Sequence, residues 1–510
     1  VEDNRAYLKA VIESILFCAR QGIPLRGHGE GIDSTNQGNL QELMRLRSND
    51  NELIRRFMIN REKYFTYLHS SCQNEIIEIM ASQVQDSMVG GVKEAGVFST
   101  IADETMDLLK HKQVALILRY VNPSFEIQER FVGFYRMLQT DSHSLATLIK
   151  STLSALGLDP SALRGQCYDG AASMRGAYKG VATLTRKENP LACYVHCYAL
   201  ILNLCIVDMV SSIPVVRNAF RILQALQTAV LENFDEVVEA LYEIANGDSK
   251  AGGEAYALLR NVQDFNFLYC MFFMRRVLMQ TNHLSKLLQK CDAMILHPKS
   301  FITSMNCARK TIILALVCLT KGSFPKNWEE RQKNWKTGYY RSGILYHTLD
   351  TLINEIKDRF SENDLSIFVS LLDVLSSECP SEEGVVAIST AYSIDQEDLN
   401  SEIQIFFSAS TSRDEEELTQ FERKLQFFRK TALRDTIPNL ANLFVFYLSI
   451  PVTSALAKRS FSSLRQLKIY LRTTMTDARV SALAILQVEK GQAVNTSDVI
   501  TTFTSKKDRC

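Results

Sequence analysis

The sequence has no excess of charge of either sign. Its 57 Lys and Arg residues equal its 57 Asp and Glu residues, so the formal net charge is zero. Domains that bind nucleic acid on their own are usually basic. The composition therefore gives no basis for strong nucleic-acid binding by the chain as a whole, and any such binding requires a local basic patch or a further module.

Long apolar runs and a regular cysteine framework are also missing. The longest apolar candidate, Thr311–Leu319, is well short of the roughly 20 residues of a membrane span, and no signal-peptide pattern is present, so we expect no membrane partner. The 12 cysteines show no dense spacing. Since Cys18 and Cys72 lie in apolar helical stretches, we expect buried free thiols in a reducing compartment.

What is present is an α/β pattern within a chain of 510 residues, a length that favours two to four domains. The first 90 or so residues have helical periodicity. Short segments rich in β-branched and aromatic residues follow, and they predict strands at Val97–Ala102, Gln113–Val121, Glu126–Tyr135, Leu163–Tyr168 and Ala192–Tyr198. The intervening segments predict helices at Ser142–Leu156 (capped by Asp141 or Ser142), Ser173–Arg186 and Leu200–Gln227.

Three antiparallel strands followed by helix, strand, helix and strand is the element order of the RNase H-like fold. Almost everything from residue 231 to 438 is predicted to be helical. We therefore predict an α/β fold in which an RNase H-like core is interrupted by a long all-α insertion. The predicted divisions are a helical N-terminal region (1–92), the first part of the core (93–228), the helical insertion (229–437), a C-terminal segment that completes the core (438–490) and a flexible tail (491–510).

Two aspartates follow predicted strands that are neighbours in this fold. Asp103 ends the first strand in Ile-Ala-Asp-Glu-Thr-Met-Asp, and Asp169 ends the fourth in Cys-Tyr-Asp-Gly-Ala-Ala. Carboxylates brought together need a cation, and Mg²⁺ favours carboxylate and water ligands. The pair therefore predicts a divalent-metal site of the phosphoryl-transfer type. An Asp at a strand end also serves as a turn or helix-cap residue, and Gly170 supports that alternative.

The ordered motifs resemble the hAT-family transposases, in the branch of the zinc finger MYM-type and THAP-repressor-like proteins. The resemblance runs from about Glu2 to Glu489 and includes the two aspartate motifs, Cys197 with the Leu-Asn-Leu that follows it, and the run Ser-Ala-Leu-Ala-Lys-Arg-Ser-Phe-Ser at 454–462. It implies an RNase H-like catalytic core, a helical insertion and a C-terminal dimerisation region. It also implies an N-terminal zinc-binding module for DNA recognition, which we do not find in this sequence.

Three departures from the family pattern bear on activity. Lys458 stands where the family has the third acidic residue of the metal site, a glutamate, and a lysine ammonium cannot ligate Mg²⁺. Leu200 stands where relatives have a histidine, and the Thr-Arg-Trp motif of the relatives is missing, since no Trp precedes Trp328. Asp103 and Asp169 therefore predict a vestigial site, and one hypothesis is that a salt bridge from Lys458 to either aspartate fills the vacated metal position.

Other candidate sites have plainer interpretations. Cys193, His196, Cys197 and Cys205 have zinc-like composition, but residues of one strand alternate between opposite faces, so we prefer packing to a zinc site. Trp328 and Trp335 are interleaved with basic residues and are candidates for stacking on single-stranded DNA, although a solvated helix face is the preferred interpretation.

The C-terminal segment supplies the candidate interaction residues. A basic stripe predicts DNA contacts at Arg459, Arg465, Lys468 and Arg472. Apolar and aromatic residues predict an association surface at Leu443, Phe444, Tyr447 and Phe461.

We therefore predict a nuclear, transposase-derived protein that is not an active enzyme and acts as a homodimer or higher homo-oligomer, with nucleic-acid or protein binding. DNA recognition would depend mainly on the N-terminal module of its relatives, and we expect no cofactor. The alternative is an active DNA strand transferase that uses Asp103, Asp169 and Mg²⁺ or Mn²⁺. A decaying transposon copy fits the same departures.

Overall fold

A computed structural model describes residues 2–27, 34, 36–60, 66–107, 109–139, 141–168, 180–226, 234–247, 252–262, 265–289, 344, 346–359, 366–377, 379–409, 420–430, 433–468 and 475–506. The chain forms two compact units. Unit 1 comprises residues 1–197 and 365–510, and unit 2 comprises residues 198–364.

The chain begins with the predicted helical region of unit 1. Its helices are α1 (Glu2–Gln21), α2 (Asn39–Asp50), α3 (Glu52–Ile59) and α4 (Ser70–Ala95). The apolar stripe of α1 is buried, and Tyr7 stacks on Phe57 of α3 at a centroid distance of 4.4 Å. Gly96 ends α4 in the left-handed conformation, which glycine adopts without steric cost.

A five-stranded mixed sheet forms the centre of unit 1. Its strands are β1 (Phe98–Met106), β2 (Lys112–Val121), β3 (Ile127–Met137), β4 (Leu163–Tyr168) and β5 (Cys193–His196), in the order β3-β2-β1-β4-β5. The first three strands pair antiparallel, whereas β4 and β5 run parallel to β1. Helix α5 (Ser142–Ala155) precedes β4, and α6 (Val181–Glu188) precedes β5. The predicted order of strands and helices is confirmed.

Side chains at the turns explain these boundaries. Asp107 accepts hydrogen bonds from the backbone N–H groups of Leu109 and His111 and so closes the β1–β2 turn. Asn122 closes the β2–β3 turn in the same way. The predicted cap residue of α5, Asp141, accepts hydrogen bonds from two N–H groups of the first helical turn, which satisfies donors that have no partner within the helix.

Unit 2 is helical over its described residues. It contains α7 (Tyr198–Ser212), α8 (Pro214–Leu226), α9 (Phe234–Asn246), α10 (Gly252–Val262), α11 (Phe265–Leu288) and α12 (His347–Arg359). The helical segment predicted at residues 200–227 is divided into two helices, because Pro214 begins a new helix. Among the described helices none is by itself long and apolar enough to cross a membrane, while Tyr198–Ser212 and Pro214–Ile222 reach that length and apolarity only as a pair bent by 104°.

The remaining helices return to unit 1. They are α13 (Ser366–Ser376), α14 (Glu382–Tyr392), α15 (Gln396–Ala409), α16 (Gln420–Lys430), α17 (Pro438–Ser449), α18 (Ala455–Leu467), α19 (Asp477–Val488) and α20 (Thr496–Ser505). Phe406, Phe421 and Phe428 of α15 and α16 contact the ring of Phe444 in α17. The helices before α17 therefore belong to unit 1, whose second part begins at residue 365. The predicted boundary lay between residues 437 and 438. Its first part likewise ends at residue 197, before the boundary predicted at 228.

The two faces of the sheet are covered by different parts of the chain. Tyr120 of β2 contacts Gly91 of α4, where a Cβ atom would lie 2.6 Å from the Tyr120 hydroxyl. The next residue back along the strand, Arg119, faces the opposite way and donates a hydrogen bond of 3.0 Å to the carbonyl of Leu448 at the end of α17. Helix α4 therefore covers one face, and the C-terminal helices α17 and α18 cover the other.

The edge strand β3 is capped by side chains. The backbone N–H of Phe131 donates to Glu489 Oε1 at 2.7 Å, and that of Phe134 donates to Ser481 Oγ at 3.0 Å. Burial raises the pKa of the Glu489 carboxyl, although the Phe131 N–H and Arg130 oppose the shift. These contacts satisfy backbone groups that would otherwise be open to another strand.

The flexible tail predicted at residues 491–510 is wrong for residues 496–505, which form α20. Asn495 caps the helix, and Val499, Ile500 and Phe503 are buried. Phe503 lies against Tyr67 in an edge-to-face contact, with ring centroids 6.0 Å apart. The apolar spacing within a largely polar segment is therefore that of a docked helix.

Candidate functional site

Asp103 lies near the end of β1, on the face of the sheet covered by the C-terminal helices. Asp103 and Ser99 point to the same face, because side chains of a strand alternate. Ser99 pairs with Gly165 of β4, and a side chain at Gly165 would meet Ile450 and Pro451. Asp103 is therefore on the face that receives the segment between α17 and α18.

The Asp103 carboxyl is buried, with only 4% of the residue exposed. Its Oδ1 accepts a hydrogen bond of 2.9 Å from the backbone N–H of Glu104. The residue pairs with Ala115 of β2. The following carboxylate, Glu104, forms an ion pair of 2.9 Å with Lys112 and points to the other face.

The segment before α18 is fixed to the sheet next to this site. The backbone N–H of Ser454 donates to Cys197 Sγ at 3.3 Å, and Thr453 Oγ1 lies 3.9 Å from the same sulfur. Burial, the neighbouring Cys197 and nearby carboxylates including Asp103 hold the pKa of the Cys167 thiol well above its usual range. Cys167 therefore stays protonated, and we interpret its buried thiol as a packing group.

Lys458 is exposed on α18. The inward residues of this helix include Ala457, Ser460 and Phe461, and Phe461 stacks on Phe134 of the sheet at a centroid distance of 6.1 Å. Within the described ranges, no ion pair joins Lys458 to Asp103. The hypothesis of a Lys458–Asp103 salt bridge is therefore wrong, because the packing of α18 points residue 458 outward.

Asp169, the second predicted metal ligand, lies outside the described residues. Within the residues that the structure does describe, no group of three or more His, Cys, Asp or Glu side chains is arranged to hold a metal ion. Asp103 alone does not provide the set of oxygen ligands that Mg²⁺ prefers. The described residues therefore do not by themselves assemble a metal centre.

Comparisons with known proteins agree with the motif pattern. Residues 1–180 match the family model described as "ZMYM1/FAM200, RNase-like domain", and residues 403–491 match the "hAT family C-terminal dimerisation region". The chain is therefore similar to hAT-transposase-derived proteins over both of these regions. Its relatives include the "52 kDa repressor of the inhibitor of the protein kinase" of Mus musculus, at 24% identity over 96% of this chain and 75% of the relative. The Homo sapiens protein of the same name is 23% identical over 96% of this chain and 74% of the relative.

The apolar residues of the hAT dimerisation region are interior residues of unit 1. Leu443, Phe444 and Tyr447 are 0% exposed, and Phe461 is 9% exposed. Tyr447 stacks on Phe368 of α13 at a centroid distance of 5.0 Å. The prediction that these four side chains form an exposed association surface is therefore wrong, because the same chain already covers them.

Lys468, a predicted DNA contact, is buried at the end of α18. Its Nζ lies 2.8 Å from Asp107 Oδ2 and 3.3 Å from Asp477 Oδ1, and only 4% of the residue is exposed. Burial raises the pKa of the Asp107 carboxyl, but hydrogen bonds from Lys468 and the His111 N–H outweigh it, so the pKa lies below its usual range. The prediction for Lys468 is wrong, since its ammonium is committed to these carboxylates.

The other predicted DNA contacts differ in their placement. Arg459 and Arg465 are exposed on α18 beside Lys458, so both remain candidates. Arg472, Trp328 and Trp335 lie outside the described residues.

The structure also shows two buried ion pairs that sequence reasoning missed. Arg119 and Glu129 form a pair of 2.8 Å, with side chains 0% and 7% exposed, and Arg119 also binds the end of α17. The second pair is that of Asp107 with Lys468. Asp107 ends the same Asp-Glu-Thr-Met-Asp motif as Asp103, but nothing in the sequence relates it to a lysine 361 residues away.

Proposed function

We propose that this chain is a transposase-derived protein that no longer cuts DNA and acts in the nucleus through dimerisation and through contacts with nucleic acid or another protein. The observation that carries the proposal is the exposed lysine at position 458, where the family motif has an acidic metal ligand. The sheet would be the remnant of an RNase H-like core. The strand order and the position of Asp103 on its central strand support that assignment.

Loss of cutting follows from the chemistry of position 458. In a two-metal site, carboxylates hold the cations that stabilise the attacking and leaving oxygens. A lysine ammonium has no lone pair to offer a cation and adds positive charge to its surroundings. Removing one acidic ligand raises the barrier by several kcal/mol, which corresponds to on the order of a thousandfold or more in rate.

Dimerisation and nuclear action are supported by the relatives. The match to the hAT dimerisation region supports a homodimer or a larger homo-oligomer. The names of the Mus musculus and Homo sapiens relatives describe them as repressors of an inhibitor, and a role in repression would place this chain in the nucleus. Light scattering of the purified full chain measures the oligomer directly, and a monomer at all concentrations would contradict this part of the proposal.

The test of the main proposal is Mn²⁺-dependent nicking of supercoiled DNA. Five proteins are compared: the unmodified chain, Lys458→Glu, Arg459→Glu, Asp103→Ala, and Lys458→Glu combined with Asp103→Ala. Arg459→Glu is the matched control, because it makes the same change of charge at the next exposed position of α18. We expect no nicking by the unmodified chain.

The outcomes separate two functions. If Lys458→Glu cuts while Arg459→Glu does not, and Asp103→Ala abolishes the cutting, loss of activity is traced to residue 458. Cutting by the unmodified chain that Asp103→Ala removes would refute the proposal and favour an active strand transferase with a different third acid.

A further inference from the structure

The outward face of α18 carries positive charge without any acidic residue on the same helix. The helix sequence, Ala-Leu-Ala-Lys-Arg-Ser-Phe-Ser-Ser-Leu-Arg-Gln-Leu, contains neither Asp nor Glu. Lys458, Arg459 and Arg465 are exposed, together with the polar residues Ser462 and Gln466. We call these five residues the α18 face. It is a local basic patch in a chain whose formal net charge is zero.

Five cations elsewhere on the sheet and its covering helices have carboxylate partners. Arg130 pairs with Glu489 and Arg136 with Asp477, and Lys112, Arg119 and Lys468 are paired as described above. By contrast, no described carboxylate lies within 4.0 Å of a cationic nitrogen of the α18 face. Its charge is therefore available to an external anion.

Contacts at both ends hold α18 in place. Ser454, just before the helix, is hydrogen-bonded to the Cys197 sulfur, and Lys468, just after it, is bound to Asp107 and Asp477. Phe461 anchors the middle on Phe134. Because the backbone is fixed along its length, the three cations are presented with a defined spacing, which lowers the entropic cost of binding.

The spacing and chemistry of the α18 face fit a row of phosphates. Lys458 and Arg465 are seven residues apart, about 10 Å along a helix that rises roughly 1.5 Å per residue, and a nucleic-acid strand carries one phosphate per roughly 3.4 Å of axis. Ser462 and Gln466, between and beside the cations, add neutral donors that also bind phosphate oxygens.

We propose that the α18 face binds the phosphate backbone of nucleic acid without reading its sequence, and that Lys458 acts there as a phosphate contact. An acidic protein partner is disfavoured, because stable protein interfaces are centred on buried aromatic or apolar anchors. Three of the four large apolar residues of α18, Phe461, Leu464 and Leu467, are turned inward, and the fourth, Leu456, is half-buried and is not part of the α18 face. This inference names the partner left open in the proposed function and rests on it for the absence of cutting.

The experiment measures the salt dependence of binding to a short DNA duplex of random sequence, with the full chain in EDTA. Neutralising a phosphate contributes a slope of about −0.9 in log K against log salt, so three contacts contribute about −2.7, or on the order of a 40-fold loss of affinity between about 50 and 200 mM salt. We expect each of Lys458→Gln, Arg459→Gln and Arg465→Gln to reduce the slope by about 0.9, and the triple variant by about 2.7.

Matched controls are Lys490→Gln and Lys506→Gln, which remove exposed lysines outside the α18 face and should leave the slope unchanged. Melting temperatures equal to that of the unmodified chain establish that the triple variant is folded. An unchanged slope in the folded triple variant would overturn the proposal, as would polyglutamate binding as tightly as the duplex, which would indicate an acidic protein partner. Since EDTA excludes metal-dependent cutting, neither result bears on the nicking assay.

Discussion

Lys468→Met is expected to destabilise unit 1 by about 3–5 kcal/mol, because it leaves the Asp107 carboxylate buried without its cation. The side chains of Asp107 and Lys468 are 0% and 5% exposed, and their charged atoms are 2.8 Å apart. At that distance the attraction is roughly 6 kcal/mol for an effective dielectric constant of about 20. The desolvation of both ions offsets part of it. The expected loss is therefore the cost of an unpaired buried charge, which exceeds the net contribution of the intact pair.

A double-mutant cycle isolates the interaction. Asp107→Asn retains a carbonyl oxygen that can accept the N–H groups of Leu109 and His111 and leaves Lys468 with Asp477, so a smaller loss of about 1–3 kcal/mol is expected. Lys468→Met in the Asp107→Asn background should cost less than in the unmodified chain, because no buried charge is stranded.

The lowered pKa of Asp107 also determines how the stability contributed by this ion pair changes with pH. The pKa of Asp107 is lowered in the folded chain, so its ion pair contributes stability above the unfolded pKa of about 3.9, and this contribution is lost as pH falls through the folded value. The cost of Lys468→Met should therefore be largest near neutral pH and shrink in acid, where a protonated Asp107 needs no cation.

The suitable assay is native-state hydrogen exchange of the β1 and β2 amides, which reports the opening of unit 1 without assuming that a chain of two units unfolds in one step. A destabilisation by Lys468→Met of less than about 1 kcal/mol at neutral pH, or one that does not change in acid, would refute the assignment of a buried, stabilising ion pair.

Two further predictions concern packing. Gly165→Ala should lower the free energy of opening, measured by the same hydrogen exchange, by about 1–3 kcal/mol. The reason is that its Cβ would lie 2.6 Å from Ser99 Oγ and 2.8 Å from Pro451 Cδ. The control is Gly90→Ala, in an exposed part of α4 with no atom within 4 Å, which should leave the stability unchanged or raise it. Phe503→Ala should release α20 from α1 and α4, seen as loss of exchange protection confined to residues 496–505, because truncating a buried Phe costs about 3–5 kcal/mol. Equal protection in both packing variants and the unmodified chain would contradict the contacts described.

The strand pattern of unit 1 could be predicted because its signals are local. Apolar, β-branched segments bounded by polar turns place all five strands within a few residues of their observed limits, and Asp141 caps α5 as its sequence position indicates. The same holds for the resemblance to the hAT family, since the motifs around Asp103, Asp169 and Lys458 are short and occur in order.

What the sequence by itself determined is therefore the chain's elements, its similarity to hAT-transposase-derived proteins and the presence of a lysine at position 458. Only the tertiary structure decided which side chains face solvent. Lys468 and Arg465 belong to the same basic stripe, yet Lys468 is buried against Asp107 while Arg465 is exposed. Leu443, Phe444 and Tyr447 similarly lie in the interior of their own unit and do not form a surface. Helical periodicity identifies an apolar or basic face, but whether the surface it meets belongs to the same chain, to another chain or to solvent depends on residues hundreds of positions away.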